Sequence, residues 1–203
     1  MQLIEMLRQE GIRDEKVLEA MAKVPRHLFL EKAFEEWAYK NVAFPIGCDQ
    51  TISQPQTVAI QTQLLEVKPG DKILEVGTGS GYQACILSVL GAKVYTIERQ
   101  SALYEKTDKL LRAMGFGAIR TFLGDGYMGL PMFAPFDKIL VTAGASALPE
   151  TLMEQLAIGG HMVIPIGDEQ SQTMWRYTKQ PDGTIKSEAF GKFKFVPFLK
   201  GTE

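Results

Sequence analysis

Apolar and polar positions change rhythm along the chain, and each change predicts a different element. Leu3, Ile4 and Leu7 recur at helical spacing before Gly11, and Asp14 is placed to cap a second helix carrying Val17, Leu18 and Met21. That helix stops before Pro25, because a residue preceding proline avoids the α region. From Phe29 to Asp49 aromatics (Phe34, Trp37, Tyr39, Phe44) mix with turn residues, which predicts a partly helical lead-in packed on the main domain. Pro55 suits the first position of a helix running to about Leu65, with Ser53 or Gln54 as its cap.

After Pro69-Gly70 the rhythm alternates. Short apolar runs at Lys72–Val76, Lys93–Ile97, Ile119–Leu123, Lys138–Val141 and His161–Ile166 predict strands. Helical patterns lie between them at Tyr82–Val89, Ala102–Met114 and Pro149–Gln155. Repeated βα units imply a mostly parallel, doubly wound sheet with helices on both faces. In the tail, Thr173–Tyr177 and Lys192–Val196 flank a Pro181-Asp182-Gly183 turn, which predicts antiparallel strands. No repeat, linker or low-complexity stretch divides the sequence, so residues 1–203 read as one domain: a lead-in over 1–68 and an α/β core over 69–203.

Composition narrows the picture by exclusion. Hydrophobic residues make up 45% and charged residues 23%, an ordinary globular balance. The formal net charge of -2, without a basic run, argues against a nucleic-acid partner. No apolar stretch approaches the roughly 20 residues of a membrane span, and Glu5 interrupts what would be the apolar core of a secretory signal. Cys48 and Cys85 alone are too few for a disulfide framework or a zinc ribbon, so no metal is expected. The expectation is a cytoplasmic, monomeric enzyme.

The chemistry concentrates after the first core strand. Gly77, Gly79 and Gly81, with Thr78 and Ser80 between them, are spaced GxGxG and open a helix. The dinucleotide fingerprint is GxGxxG, where a helix N-terminus receives a pyrophosphate. Here the third glycine comes one residue early, and Glu75 stands two residues before the turn. A carboxylate there suits a cationic ligand, and S-adenosyl-L-methionine carries an amine and a sulfonium and no phosphate. Glu98, 21 residues after Gly77 (98 − 77), ends the next strand where an acid accepts from ribose hydroxyls, and Arg99 follows it. Gly124-Asp125-Gly126 follows the third strand, where Asp125 is placed to accept from an adenine amine; Asp-Gly is also a plain turn pair. Ser53, after Thr51 and Ile52, presents a hydroxyl at a helix N-terminus, which favours an anion or simply caps the helix. Neither His27 nor His161 has the Ser/Asp context of a hydrolase triad, and His161 reads as structural.

DQTISQP, LEVGTGSGYQA, VYTIER, GDGYMGLP, APFDKILVTAGA and GGHMVIPIG, in this order, resemble the protein-L-isoaspartate O-methyltransferases, as do VPRHLF and FVPF. The resemblance spans roughly residues 20 to 200; TISQP and VTAGA are its more specific marks. It implies a class I Rossmann-like fold and methyl transfer from S-adenosyl-L-methionine to isoaspartyl residues of aged proteins and peptides, a repair activity. It also implies an active-site role for Ser53, cofactor contacts from Thr51, Ile52, Thr78 and Thr142, and a wall near the methyl group from Thr142 to Ala145. Phe195–Phe198 reads as core or as the border of a peptide groove. Cys48 and Asp49 depart from the family pattern, which often has glycine just before QTISQP and an aromatic before that, and an added carboxylate there bears on substrate preference. The competing readings are a Rossmann methyltransferase for another carboxylic acid, a non-catalytic binding module and, more distantly, a nicotinamide dehydrogenase.

Overall fold

The computed structural model describes residues 2–203. Helices α1 (Gln2–Gln9) and α2 (Glu15–Lys23) open the chain. The Asp14 side chain accepts from Lys16 N and Val17 N, the cap expected from sequence. Short 3₁₀ turns at Arg26–Phe29 and Lys32–Trp37 follow. A hairpin of β1 (Phe44–Gly47) and β2 (Gln50–Ile52) then ends the region expected to be a partly helical lead-in, and its strands were not expected. Its turn residues Cys48 and Asp49 sit at φ 51° and 53°. Two successive left-handed residues match the twist of a tight hairpin, although neither is glycine.

Helix α3 (Pro55–Leu65) leads into the core. There β3 (Lys72–Val76), β4 (Lys93–Glu98), β5 (Arg120–Leu123), β6 (Phe136–Val141) and β7 (Leu156–Gly167) alternate with α4 (Tyr82–Val89), α5 (Ser101–Ala113) and α6 (Glu150–Glu154). The seven-stranded sheet has the order β5-β4-β3-β6-β7-β8-β9. Strands β5 to β7 pair in parallel; β8 (Gln172–Lys179) and β9 (Ile185–Phe193) pair antiparallel. The predicted last strand, Lys192–Val196, overlaps β9 by only two residues, because Lys194–Val196 leaves the sheet. Val196 there accepts from Gly144 N instead.

Helices cover both faces, as expected, but unevenly. Ile73, Leu140, Val163 and Met174 pack in one cluster with α1 to α5. Leu74, Ile139, Val141 and Met162 face the other way, against the five-residue α6 and an aromatic group of Tyr95, Phe122, Phe133 and Phe136. No helix among the described residues is long and apolar enough to cross a membrane. Strand order reverses between β3 and β6, so their carboxyl ends frame the crevice where open α/β sheets bind ligands.

Candidate active site

The chain leaving β3 makes the glycine turn. Gly77 lies at φ 96°, and a Cβ there would meet Thr142 Oγ1 at 2.5 Å, so only glycine fits. The Thr142 hydroxyl donates to Gly77 O at 2.8 Å and Thr142 N donates to Val76 O, tying the end of β6 to the turn. Gly81, at φ 84°, sits against Thr107 and Leu111 of α5 and is a packing residue that lines none of the crevice cavities.

Three cavities meet over this turn. The largest, about 560 Å³, is a groove between α3 and the chain after β9; Thr51, Ser53, Thr57, Thr142 and Lys192–Val196 are among its walls. A second lies over Gly77, Gly79, Glu98, Arg99 and Gly126, roofed by Val196–Leu199. A third is a cleft bounded by Thr51, Ile52, Ser53, Gln61, Thr78, Ser80, Tyr82, Gln83 and Thr142. Thr51 and Thr142 border all three, and Ser53 borders the groove and the cleft.

Gln54, not Ser53, caps α3, and it makes no side-chain cap bond. Asn41 Oδ1 instead accepts from Gln56 N at 3.0 Å. The Ser53 hydroxyl and the Thr57 N–H have no hydrogen-bond partner among the described residues. Two donors therefore stand free where the helix dipole favours an anion. The Ser53 carbonyl is held from behind by Arg26 Nη2 at 2.8 Å, while Arg26 Nε donates to Ala38 O at 2.9 Å. Arg26 is completely buried, stacks over the Tyr82 ring at 4.8 Å and has no carboxylate partner, so burial pushes its pKa down to about 10.

The carboxylates are placed differently from one another. Glu98 Oε2 accepts from Gly79 N at 2.8 Å and Oε1 from Arg99 N and Gln100 N, fixing the turn while the side chain borders the second cavity. Glu75, expected to face a cationic ligand, lies beneath the turn and borders no crevice cavity. It accepts from Thr96 Oγ1 at 2.5 Å, and Thr96 is bonded to Thr78 Oγ1 at 2.7 Å. Burial raises its pKa to about 8. Gly124 and Asp125 border none of the three cavities either. Asp125 accepts from Tyr127 N and from Gly201 N, each at 2.8 Å, which ties down the tail. That tail is also held by the Arg99–Glu203 ion pair at 3.0 Å and by Phe198 stacked on Tyr127 at 3.9 Å. Phe195 is both core and groove wall. Asp49 is exposed at the hairpin tip and borders none of the three cavities. His161 is bonded to Thr178 and lies 3.5 Å from Glu66, outside the crevice.

The family model of protein-L-isoaspartate(D-aspartate) O-methyltransferases matches residues 1–203. The chain belongs to that family. A Flavobacterium psychrophilum protein-L-isoaspartate O-methyltransferase is 55% identical over 98% of this chain and 93% of its own. A Dictyoglomus thermophilum relative of the same name is 47% identical over 98% and 90%. Among solved structures, a Plasmodium falciparum β-aspartate methyltransferase in complex with S-adenosyl-L-homocysteine superposes with a TM-score of 0.87 at 26% identity, covering 98% of both chains. The family's TISQP and VTAGA segments are the two that contribute Thr51 and Thr142 to the meeting point of the cavities. Thr57 went unremarked in the sequence, and Arg26, Tyr82 and Gln83 entered only within VPRHLF and LEVGTGSGYQA without a site role; only the fold brings Thr57, Tyr82 and Gln83 to the crevice and sets Arg26 behind Ser53.

Proposed function

We propose that this methyltransferase moves a methyl group from S-adenosyl-L-methionine to the free α-carboxyl of L-isoaspartyl residues in damaged proteins and peptides. The convergence of a peptide-sized groove, a glycine-floored cavity and a polar cleft at Thr51, Ser53 and Thr142 carries this reading. Donor and acceptor then meet at one point without sharing a cavity.

The residues fit the cofactor. Gly77 and Gly79 give a backbone floor without side chains, and Glu98 brings an acceptor for ribose hydroxyls. No lysine lines the glycine-floored cavity, and its arginine, Arg99, is paired with Glu203, so nothing there selects a diphosphate. When bound, S-adenosyl-L-methionine supplies a sulfonium-activated methyl group. Ile52, Thr78 and Tyr82 would border its amino-acid end, and Arg99 and Gly126 its adenosine end. Glu75 acts from below, through the Thr96–Thr78 hydroxyl chain that shapes the turn. Asp125 acts through the tail it anchors.

On the acceptor side, the Ser53 hydroxyl and Thr57 N–H orient the substrate carboxylate. That group is already ionised at neutral pH, so no strong general base is required. The crevice contains no histidine, which suits a reaction made mainly of positioning and exclusion of water. Ser53 is thus a hydrogen-bond donor and not a nucleophile.

The test is methyl incorporation into an isoaspartyl peptide and its matched aspartyl peptide, scored as base-labile ester. Selective labelling of the isoaspartyl form is expected. Equal labelling of both peptides would refute the substrate assignment, and base-stable product would refute carboxyl transfer.

A further inference from the structure

The groove wall carries charge of one sign only. Among its bordering residues Lys192 and Lys194 are the only ionised ones, in a chain whose overall net charge is -2. Strand alternation explains their placement. Phe193 and Phe195 turn inward, their rings 6.5 Å apart, so Lys192 and Lys194 both point outward and are exposed. Lys192 Nζ donates to Thr173 Oγ1 at 2.8 Å, an exposed bond to a neutral hydroxyl that leaves its charge uncompensated. Its acidic neighbour Asp168 is held below the ordinary carboxylate range first by the amides of Ser171 and Gln170, with Lys192 adding a smaller attraction. Lys194 makes no ion pair among the described residues. By contrast Lys186 pairs with Glu188, and Lys200 lies over the Tyr127 ring.

Resting on the proposed methylation of isoaspartyl peptides, we infer that Lys192 and Lys194 are specificity-determining residues that select peptides bearing a second carboxylate beside the isoaspartyl residue. An acidic side chain or a free chain terminus provides that chemistry. Two solvated cations on a groove rim steer an anionic partner and lower its KM without touching the reacting atoms. The free donors at Ser53 and Thr57 take the α-carboxylate itself, so the lysines read its neighbours.

The experiment compares kcat and KM for isoaspartyl peptides flanked on either side by Glu, Ala or Lys, each with a free or an amidated C-terminus. Glu-flanked peptides are expected to exceed Lys-flanked ones in kcat/KM by about tenfold at low salt, mostly through KM. The gap narrows in high salt, because the charges are exposed. The charge-reversed variant K192E/K194E is expected to invert the preference. If only the free terminus matters, the second carboxylate is the chain end; if the Glu side chain matters, it is an acidic residue. Equal kcat/KM for Glu- and Lys-flanked peptides in the wild type, or an unaltered preference in K192E/K194E, would overturn the inference. The Ala-flanked, amidated isoaspartyl peptide separates the two readings: if the wild type does not methylate it or either charged series, the proposed function itself fails.

Discussion

Replacing Arg26 by Met keeps the length of the side chain and removes its charge, its two donated hydrogen bonds and its stacking on Tyr82. Two effects oppose each other. Burial lowers the guanidinium from 12.5 to about 10, which corresponds to a desolvation cost of roughly 3 kcal/mol that the variant escapes. Against this, the carbonyls of Ala38 and Ser53 lose their donor, at about 1–3 kcal/mol each. Loss of the cation–π contact adds about 1–2 kcal/mol. The losses exceed the gain, and Arg26→Met is expected to destabilise the fold by about 2 kcal/mol, read as a lower urea midpoint. The larger consequence is local. With its carbonyl released, Ser53 no longer presents its hydroxyl at a fixed place, so kcat for the isoaspartyl peptide falls by at least tenfold. Binding of S-adenosyl-L-homocysteine, measured by calorimetry, falls much less. Arg26→Lys retains the charge and reaches one carbonyl, and is expected to recover part of both losses. A variant with the wild-type urea midpoint and wild-type kcat would refute the assignment of Arg26 as the support of the Ser53 loop.

Ser53→Ala is expected to lose roughly ten- to hundredfold in kcat/KM for the peptide while retaining S-adenosyl-L-homocysteine binding; full methylation activity would remove Ser53 from the site. Glu75 has its pKa raised to about 8 in the fold, so the folded protein keeps a proton that the unfolded chain releases above about pH 4.5. The associated stability is complete below that pH and is lost as pH rises toward 8. Glu75→Gln stays neutral, so its stability relative to wild type should climb by up to a few kcal/mol between pH 5 and 8; parallel urea-midpoint profiles would contradict the burial argument. Cys48→Gly relieves a left-handed residue in the hairpin turn and should raise the urea midpoint by an amount worth about 0.5–1 kcal/mol, whereas a lower midpoint would show that the turn is not strained.

The parallel core was legible because β3, β4 and β6 are short apolar runs with glycine or proline punctuation, and their pairing follows from the βα alternation. The β1–β2 hairpin was not, since Pro45 weakens the strand signal and Cys48-Asp49 is an uncommon pair for left-handed backbone. Glu75 misled for a different reason. Strand β3 is buried on both faces, so alternation distinguishes no solvent side and proximity to the glycines says nothing of direction. Asp125 and Arg26 find their partners 76 and 27 residues away in sequence, contacts that no local pattern encodes. The boundary of β9 was misplaced because Lys192–Val196 keeps a strand-like alternation after its backbone has turned toward Gly144.

Thr51 and Thr142 are party walls, each facing all three cavities at once. A substitution at either changes the donor's surroundings and the acceptor's together, so selection for a new substrate at these positions acts on donor affinity too. Lys192–Lys194 faces only the groove. Evolutionary drift in peptide preference is therefore channelled to the end of the edge strand β9 and the residue just after it, where it leaves the methyl donor untouched.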